Sequence, residues 1–81
     1  MLYSVEVKVM PLKELLDPQG KAVMGGLENL GIQEIRDVRV GKLIALQIEA
    51  ADAASAKEIA ENAAKKLLAN QVMEFFEVRV L

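Results

Sequence analysis

Apolar residues change their spacing repeatedly along this chain of 81 residues, and the order of those changes narrows the fold more than any single motif does. Tyr3, Val5, Val7 and Val9 alternate with Ser4, Glu6 and Lys8, the period of two that marks a strand with one buried face. Asp17 followed by Pro18 starts a helix, because aspartate accepts the free amides of a first turn and proline there loses no backbone bond. Val23, Leu27 and Leu30 recur at helical spacing, and Gly31 stands where a left-handed terminal residue is wanted, which predicts a helix from about Pro18 to Leu30.

From Glu34 to Val40 the residues Ile35, Val38 and Val40 lie among Arg36, Asp37 and Arg39, a half-buried strand with β-branched residues at its end. Ile44, Leu46 and Ile48 alternate in the next stretch, Leu43 to Ala50. Gly41-Lys42 between them suits a type II′ turn, so the two strands are predicted to form a hairpin. Asp52 can cap a second helix, with Ser55 and Glu58 as a competing capping box. Its predicted apolar stripe is Ala56, Ile59, Ala60, Ala63 and Leu67, ending near Asn70. The last strand, Val72 to Leu81, is apolar on both sides: Val72, Phe76, Val78 and Val80 on one, Met73, Phe75 and Leu81 on the other.

The resulting order, β-α-β-β-α-β, predicts a single α+β domain over residues 1–81, a ferredoxin-like two-layer sandwich. Right-handed crossovers put both helices on one sheet face. The other face then needs cover, so the chain is expected to oligomerise through the sheet, with Met73, Phe75 and Leu81 as the self-association residues. A domain this small buries only roughly 60% of its unfolded surface, which also favours a homodimer or higher homo-oligomer.

Composition removes whole classes of function. There is no cysteine and no histidine, so disulfides, thiolate nucleophiles, the commonest general base and the commonest metal ligand are all missing; no cofactor or metal is expected. A net charge of −2 with both signs interspersed supplies no basic stripe for a phosphate backbone, so no nucleic-acid partner is expected. Uncharged runs fall short of the roughly 18 residues a membrane span needs, and Glu6 and Lys8 interrupt the N-terminal apolar stretch; no membrane segment or signal peptide is expected, and a cytoplasmic location is the default.

Three segments could carry recognition. Asp17-Pro18-Gln19-Gly20-Lys21 opens the first helix, where free amides can bind an anion, although Asp17 as a plain cap accounts for the same residues. Arg39-Val40-Gly41-Lys42 sets two cations at a tight turn, able to hold a carboxylate, a phosphate or an acidic patch, or simply solvated. Leu67-Leu68-Ala69-Asn70 closes the second helix, where Asn70 serves equally as an ordinary C-cap. Glu58, Glu61, Lys57, Lys65 and Lys66 read as a solvated helix face and not as an acid–base pair.

Taken together, Asp17-Pro18-Gln19-Gly20-Lys21-Ala22-Val23, Asp37-Val38-Arg39-Val40-Gly41-Lys42 and Leu67-Leu68-Ala69-Asn70-Gln71-Val72-Met73-Glu74 resemble, in the same order, the three signature segments of the PurS family. The departures are Asn70-Gln71, where the family commonly has asparagine-proline, and an alanine-rich second helix. The resemblance implies a non-catalytic subunit of phosphoribosylformylglycinamidine synthase in purine biosynthesis, with a PurQ-type glutaminase and an ATP-using PurL-type synthetase as partners. It implies a homo-oligomeric bridge that aligns the two for ammonia transfer. Asp17, Lys21, Arg39, Gly41, Lys42 and Asn70 are then the expected partner-binding residues. A small-molecule regulatory module of the same topology is the competing reading, but it would usually carry a glycine-rich turn where this chain has Pro11-Leu12-Lys13-Glu14-Leu15-Leu16.

Overall fold

The computed structural model describes residues 1–81 and contains three strands and two helices: β1 (Leu2–Pro11), α1 (Pro18–Asn29), β2 (Lys42–Glu49), α2 (Ala53–Ala63) and β3 (Glu74–Val80). β1 is central, antiparallel to β2 on one side and to β3 on the other. Central placement explains its pattern, since Val5, Val7 and Val9 are fully buried while Lys8 is exposed. Two of the buried valines lie between apolar partners across the ladders, Val5 between Leu46 and Val80 and Val7 between Ile44 and Val78, while Val9 lies between Lys42 and Phe76.

α2 covers this inner face. Asp52 caps it by accepting the Ser55 amide at 2.8 Å, which selects Asp52 over the competing capping box. The side turned to the sheet is Ala56, Ala60 and Ala64, all fully buried, whereas Ile59 and Leu67 of the predicted stripe are 47% and 83% exposed. Alanine at every fourth position lets the helix backbone come close to the valines of β1. The helix ends in a π-helical turn, Ala64–Leu68, with the Ala69 amide on the Ala64 carbonyl; the five-residue step turns Ala69 inward in place of Leu67.

Three expectations are corrected. The predicted strand at Glu34 to Val40 pairs with nothing in the chain, so there is no hairpin through Gly41-Lys42; Lys42 opens β2 directly. The observed sheet is therefore the ferredoxin-like one short of an edge strand, next to β2. Only α2 packs on the sheet: α1 and the segment after it project from the body as an arm. The last strand begins at Glu74 and not at Val72, because Val72 and Met73 belong to the turn before it.

The arm is locally well made. α1 ends in a Schellman motif, with Gly31 at φ 85°, its amide on the Glu28 carbonyl and the Ile32 amide on the Leu27 carbonyl. The chain then returns beside the helix, Met24, Glu28, Gln33, Ile35 and Arg36 bordering one shallow hollow between them. The outcome is a molecule 50 Å long and 14 Å thick.

Candidate partner-binding site

Where the arm leaves the body, the outgoing loop after β1 and the returning segment before β2 are fastened together. Arg39 supplies the fastening. Its guanidinium donates to the carbonyls of Leu12 (3.1 Å), Leu15 (3.0 Å) and Lys13, closing the 12–16 loop around one planar group, and its Nε lies 3.9 Å from the Asp37 carboxylate. The fork geometry matters here, since a lysine could not reach three diverging carbonyls from one position. Leu12 is also tied to the body, its amide donating to the Met73 carbonyl at 2.9 Å.

Asp17 makes the second fastening. One carboxylate oxygen accepts the Gly20 amide at 3.1 Å as the helix cap, and the other accepts the Val40 amide at 2.8 Å from the returning segment. The Val40 bond first, then the Gly20 bond, hold the Asp17 carboxyl below the usual carboxylate range, with a smaller contribution from the Arg39 charge. Gly20 is buried because the Val38 carbonyl lies where a Cβ would be, and Gly41 likewise sits against the Val9 carbonyl and the Met10 sulfur. Both glycines are close-approach positions. Gly20 and Val38 are not among the expected partner-binding residues, though a glycine inside the first helical turn is itself a signal, since it costs up to about 1 kcal/mol in helix propensity.

Asn70 shapes the turn leading into β3. Its side-chain oxygen accepts the Val72 amide at 3.0 Å, its carbonyl accepts the amides of Met73 and Glu74, and its own amide donates to the Glu74 carboxylate at 2.8 Å. Gln71 reaches back to the Lys65 carbonyl at 3.0 Å, the function a helix C-cap would otherwise serve. Asp17, Asn70 and Met73 border one open hollow of about 320 Å³, and Asp17, Lys21 and Arg39 border another of about 420 Å³. Four of the six expected partner-binding residues thus border these hollows at the base of the arm: Asp17, Lys21, Arg39 and Asn70. Gly41 and Lys42 follow directly where the returning segment enters β2. Asp17, Arg39, Gly41 and Asn70 are already used in holding that base together, while Lys21 and Lys42 are exposed and form no ion pair within the chain.

The residues expected to mediate self-association do not form one patch. Phe75, 36% exposed, lies on the outer sheet face opposite Met10, whereas Met73 belongs to the turn and Leu81 lies past the far end of β3. Between Phe75 and Leu81 the same face carries Glu77 and Arg79, with Glu77 3.8 Å from Lys8. That face is mixed and charged at its centre, not apolar.

Residues 4–81 match the family model of PurS, phosphoribosylformylglycinamidine (FGAM) synthase. The chain belongs to the PurS family. A PurS subunit of this synthase from Synechocystis sp. is 40% identical over 81 residues, spanning 98% of this chain and 81% of that protein. The crystal structure of PurS from Bacillus subtilis superposes with a TM-score of 0.87 at 38% identity, covering 98% of both chains. A chain in the structure of PurLQS from Thermotoga maritima gives a TM-score of 0.92 at 32% identity, covering all of this chain and 99% of that one. Within the PurS fold, then, the three signature segments are brought to one place, the outgoing and returning base of the arm and the turn facing it.

Proposed function

We propose that this chain is the bridging subunit of the glutamine- and ATP-dependent synthase, holding a PurQ-type glutaminase and a PurL-type synthetase in register for ammonia transfer without performing chemistry itself. The observation that carries this reading is its likeness, end to end, to a chain of the Thermotoga maritima PurLQS assembly. The base of the arm supports it physically. Arg39 and Asp17 lock two crossing segments, so Lys21 and Lys42 project from a rigid frame, where an ion pair to an acidic partner surface loses less side-chain entropy than on a mobile loop. A homo-oligomer and a cytoplasmic location belong to the same reading; no helix is long and apolar enough to cross a membrane.

Reconstitution with PurL- and PurQ-type subunits tests it. A Lys21→Ala, Lys42→Ala double variant is expected to lower glutamine-dependent turnover at limiting subunit concentration at least tenfold, while ammonia-dependent turnover falls much less. Equal rates for the double variant and the unmodified chain would remove these cations from the interface. Glutamine hydrolysis by the isolated chain would overturn the non-catalytic assignment.

A further inference from the structure

We infer that Asn70 is a positioning residue for the arm: the turn it builds holds the Met73 carbonyl in place, and through Leu12 and Arg39 that carbonyl fixes the direction in which α1 leaves the body. This deepens the reading of the partner-binding site, on which it rests, since Asn70 then serves the bridge by placing Lys21 and not by touching a catalytic subunit. Its test uses the isolated chain, so failure here would leave the bridging role standing.

Every hydrogen bond that Asn70 makes lies within residues 70–74. Its side-chain oxygen accepts the Val72 amide, its carbonyl accepts the amides of Met73 (3.0 Å) and Glu74 (2.7 Å), and its own amide donates to the Glu74 carboxylate (2.8 Å). The bond back to the helix end is made by Gln71 instead, and Ala69 is already extended, at φ −123° and ψ 140°. Asn70 therefore belongs to the turn and not to the helix. Its side-chain NH2, the group a contact with another subunit would use, takes no part in these bonds.

Leu12 is where the turn meets the arm. Its amide donates to the Met73 carbonyl at 2.9 Å, one step beyond the last β1–β3 pair, Pro11 with Glu74. Its carbonyl accepts both the Leu15 amide at 3.1 Å and the Arg39 guanidinium at 3.1 Å. Next to Arg39, the Val40 amide reaches Asp17, whose second oxygen takes the Gly20 amide in the first turn of α1. Each joint shares a residue, or a chain neighbour, with the next, so the start of α1 is held relative to the sheet only while the Met73 carbonyl is. The end of a ladder frays unless something fixes it, and residues 70–73 are all exposed, with little packing to do so. The bonds converging on Asn70 supply that restraint.

Residue-resolved hydrogen exchange on the isolated protein tests the coupling, which adjacency alone does not establish. Asn70→Ala is expected to speed exchange of the Leu12, Leu15 and Val40 amides by about fivefold or more, the effect of losing one hydrogen bond of ordinary net strength, while the β1–β2 ladder is unchanged. Asn70→Asp, measured at about 0.5 M salt to screen the Glu74 carboxylate, is expected to bring the rates back to within about twofold, because its oxygen still accepts the Val72 amide. Leu12→Pro removes the donor to Met73 and should speed Leu15 and Val40 exchange by a similar factor; adding Asn70→Ala to it should change them no further, since both act through one joint. Unchanged rates at these amides in Asn70→Ala, acceleration spread equally over the ladder, failure of Asn70→Asp to restore them, or additive effects of the two changes would each overturn the inference. Unchanged rates combined with weaker assembly with PurL- and PurQ-type subunits would place the Asn70 side chain against a partner instead.

Discussion

The body and the arm are built from the same apolar vocabulary and put it to opposite uses. In the body, small and β-branched residues meet one another within the chain: Val5, Val7 and Val9 of β1 lie against Ala56 and Ala60 of α2 and Ala64 of the π-helical turn with no exposed surface to speak of. In the arm, Val23, Leu30, Ile32 and Ile35 are larger on average and remain accessible, though the backbone around them is capped and turned with as much care. Local structure and tertiary burial are therefore separate achievements here. A helix with an N-cap and a Schellman terminus is specified by its ends, whereas its apolar stripe finds burial only if a surface is presented to it.

Perturbing each region should move different observables, and the body should respond most. Ala60→Leu forces a branched side chain between helix and sheet, and is expected to cost about 3 kcal/mol of stability, measured by urea denaturation, because no void exists to accept it. A cost under about 1 kcal/mol would mean that α2 is less tightly seated than the full burial of Ala60 indicates.

Arg39→Ala probes the joint between the two regions. It leaves three carbonyls of the 12–16 loop without their shared donor, and is expected to cost about 2 kcal/mol. Faster hydrogen exchange should be confined to residues 12–17 and 37–41. Arg39→Lys should restore little of this, since an ammonium cannot span the three acceptors. Full rescue by lysine would show that charge and not the fork holds the base.

The smallest expected effect is that of acid. Asp17 and Asp52 both have carboxyls held below their ordinary range, Asp17 chiefly by the Val40 amide and Asp52 chiefly by the Ser55 amide. The unfolded chain, with the higher pKa, takes up protons first as pH falls, so their stabilisation is present above about pH 4 and is lost as pH drops through the folded-state values. Asp17→Asn should flatten the acid limb of a stability–pH profile, with Asp52→Asn flattening it further. An unchanged limb in both variants would place the acid sensitivity elsewhere.

Much of this was legible in the sequence. Alternation fixed β1, β2 and most of β3, because a period of two survives whatever lies beside the strand. Asp17-Pro18, Gly31 and Asp52 marked helix ends through bonds made within a few residues. The three signature segments named the family. What periodicity could not reveal is which surfaces meet. Residues 34–40 have the composition of a strand, but a strand exists only where a neighbour accepts its amides, and the chain directs them away from β2. In α2 both Ile59 and Ala60 fit a helical stripe, and the close approach of helix to sheet, together with the π-helical step at Ala64–Leu68, selects the alanines. Arg39 reads as a turn cation in the sequence because its acceptors, the carbonyls of Leu12, Lys13 and Leu15, lie more than twenty residues away and carry no sequence signal of their own. Sequence determines what is satisfied locally; bonds and contacts between distant segments, which depend on where the backbone has brought them, belong to the tertiary structure alone.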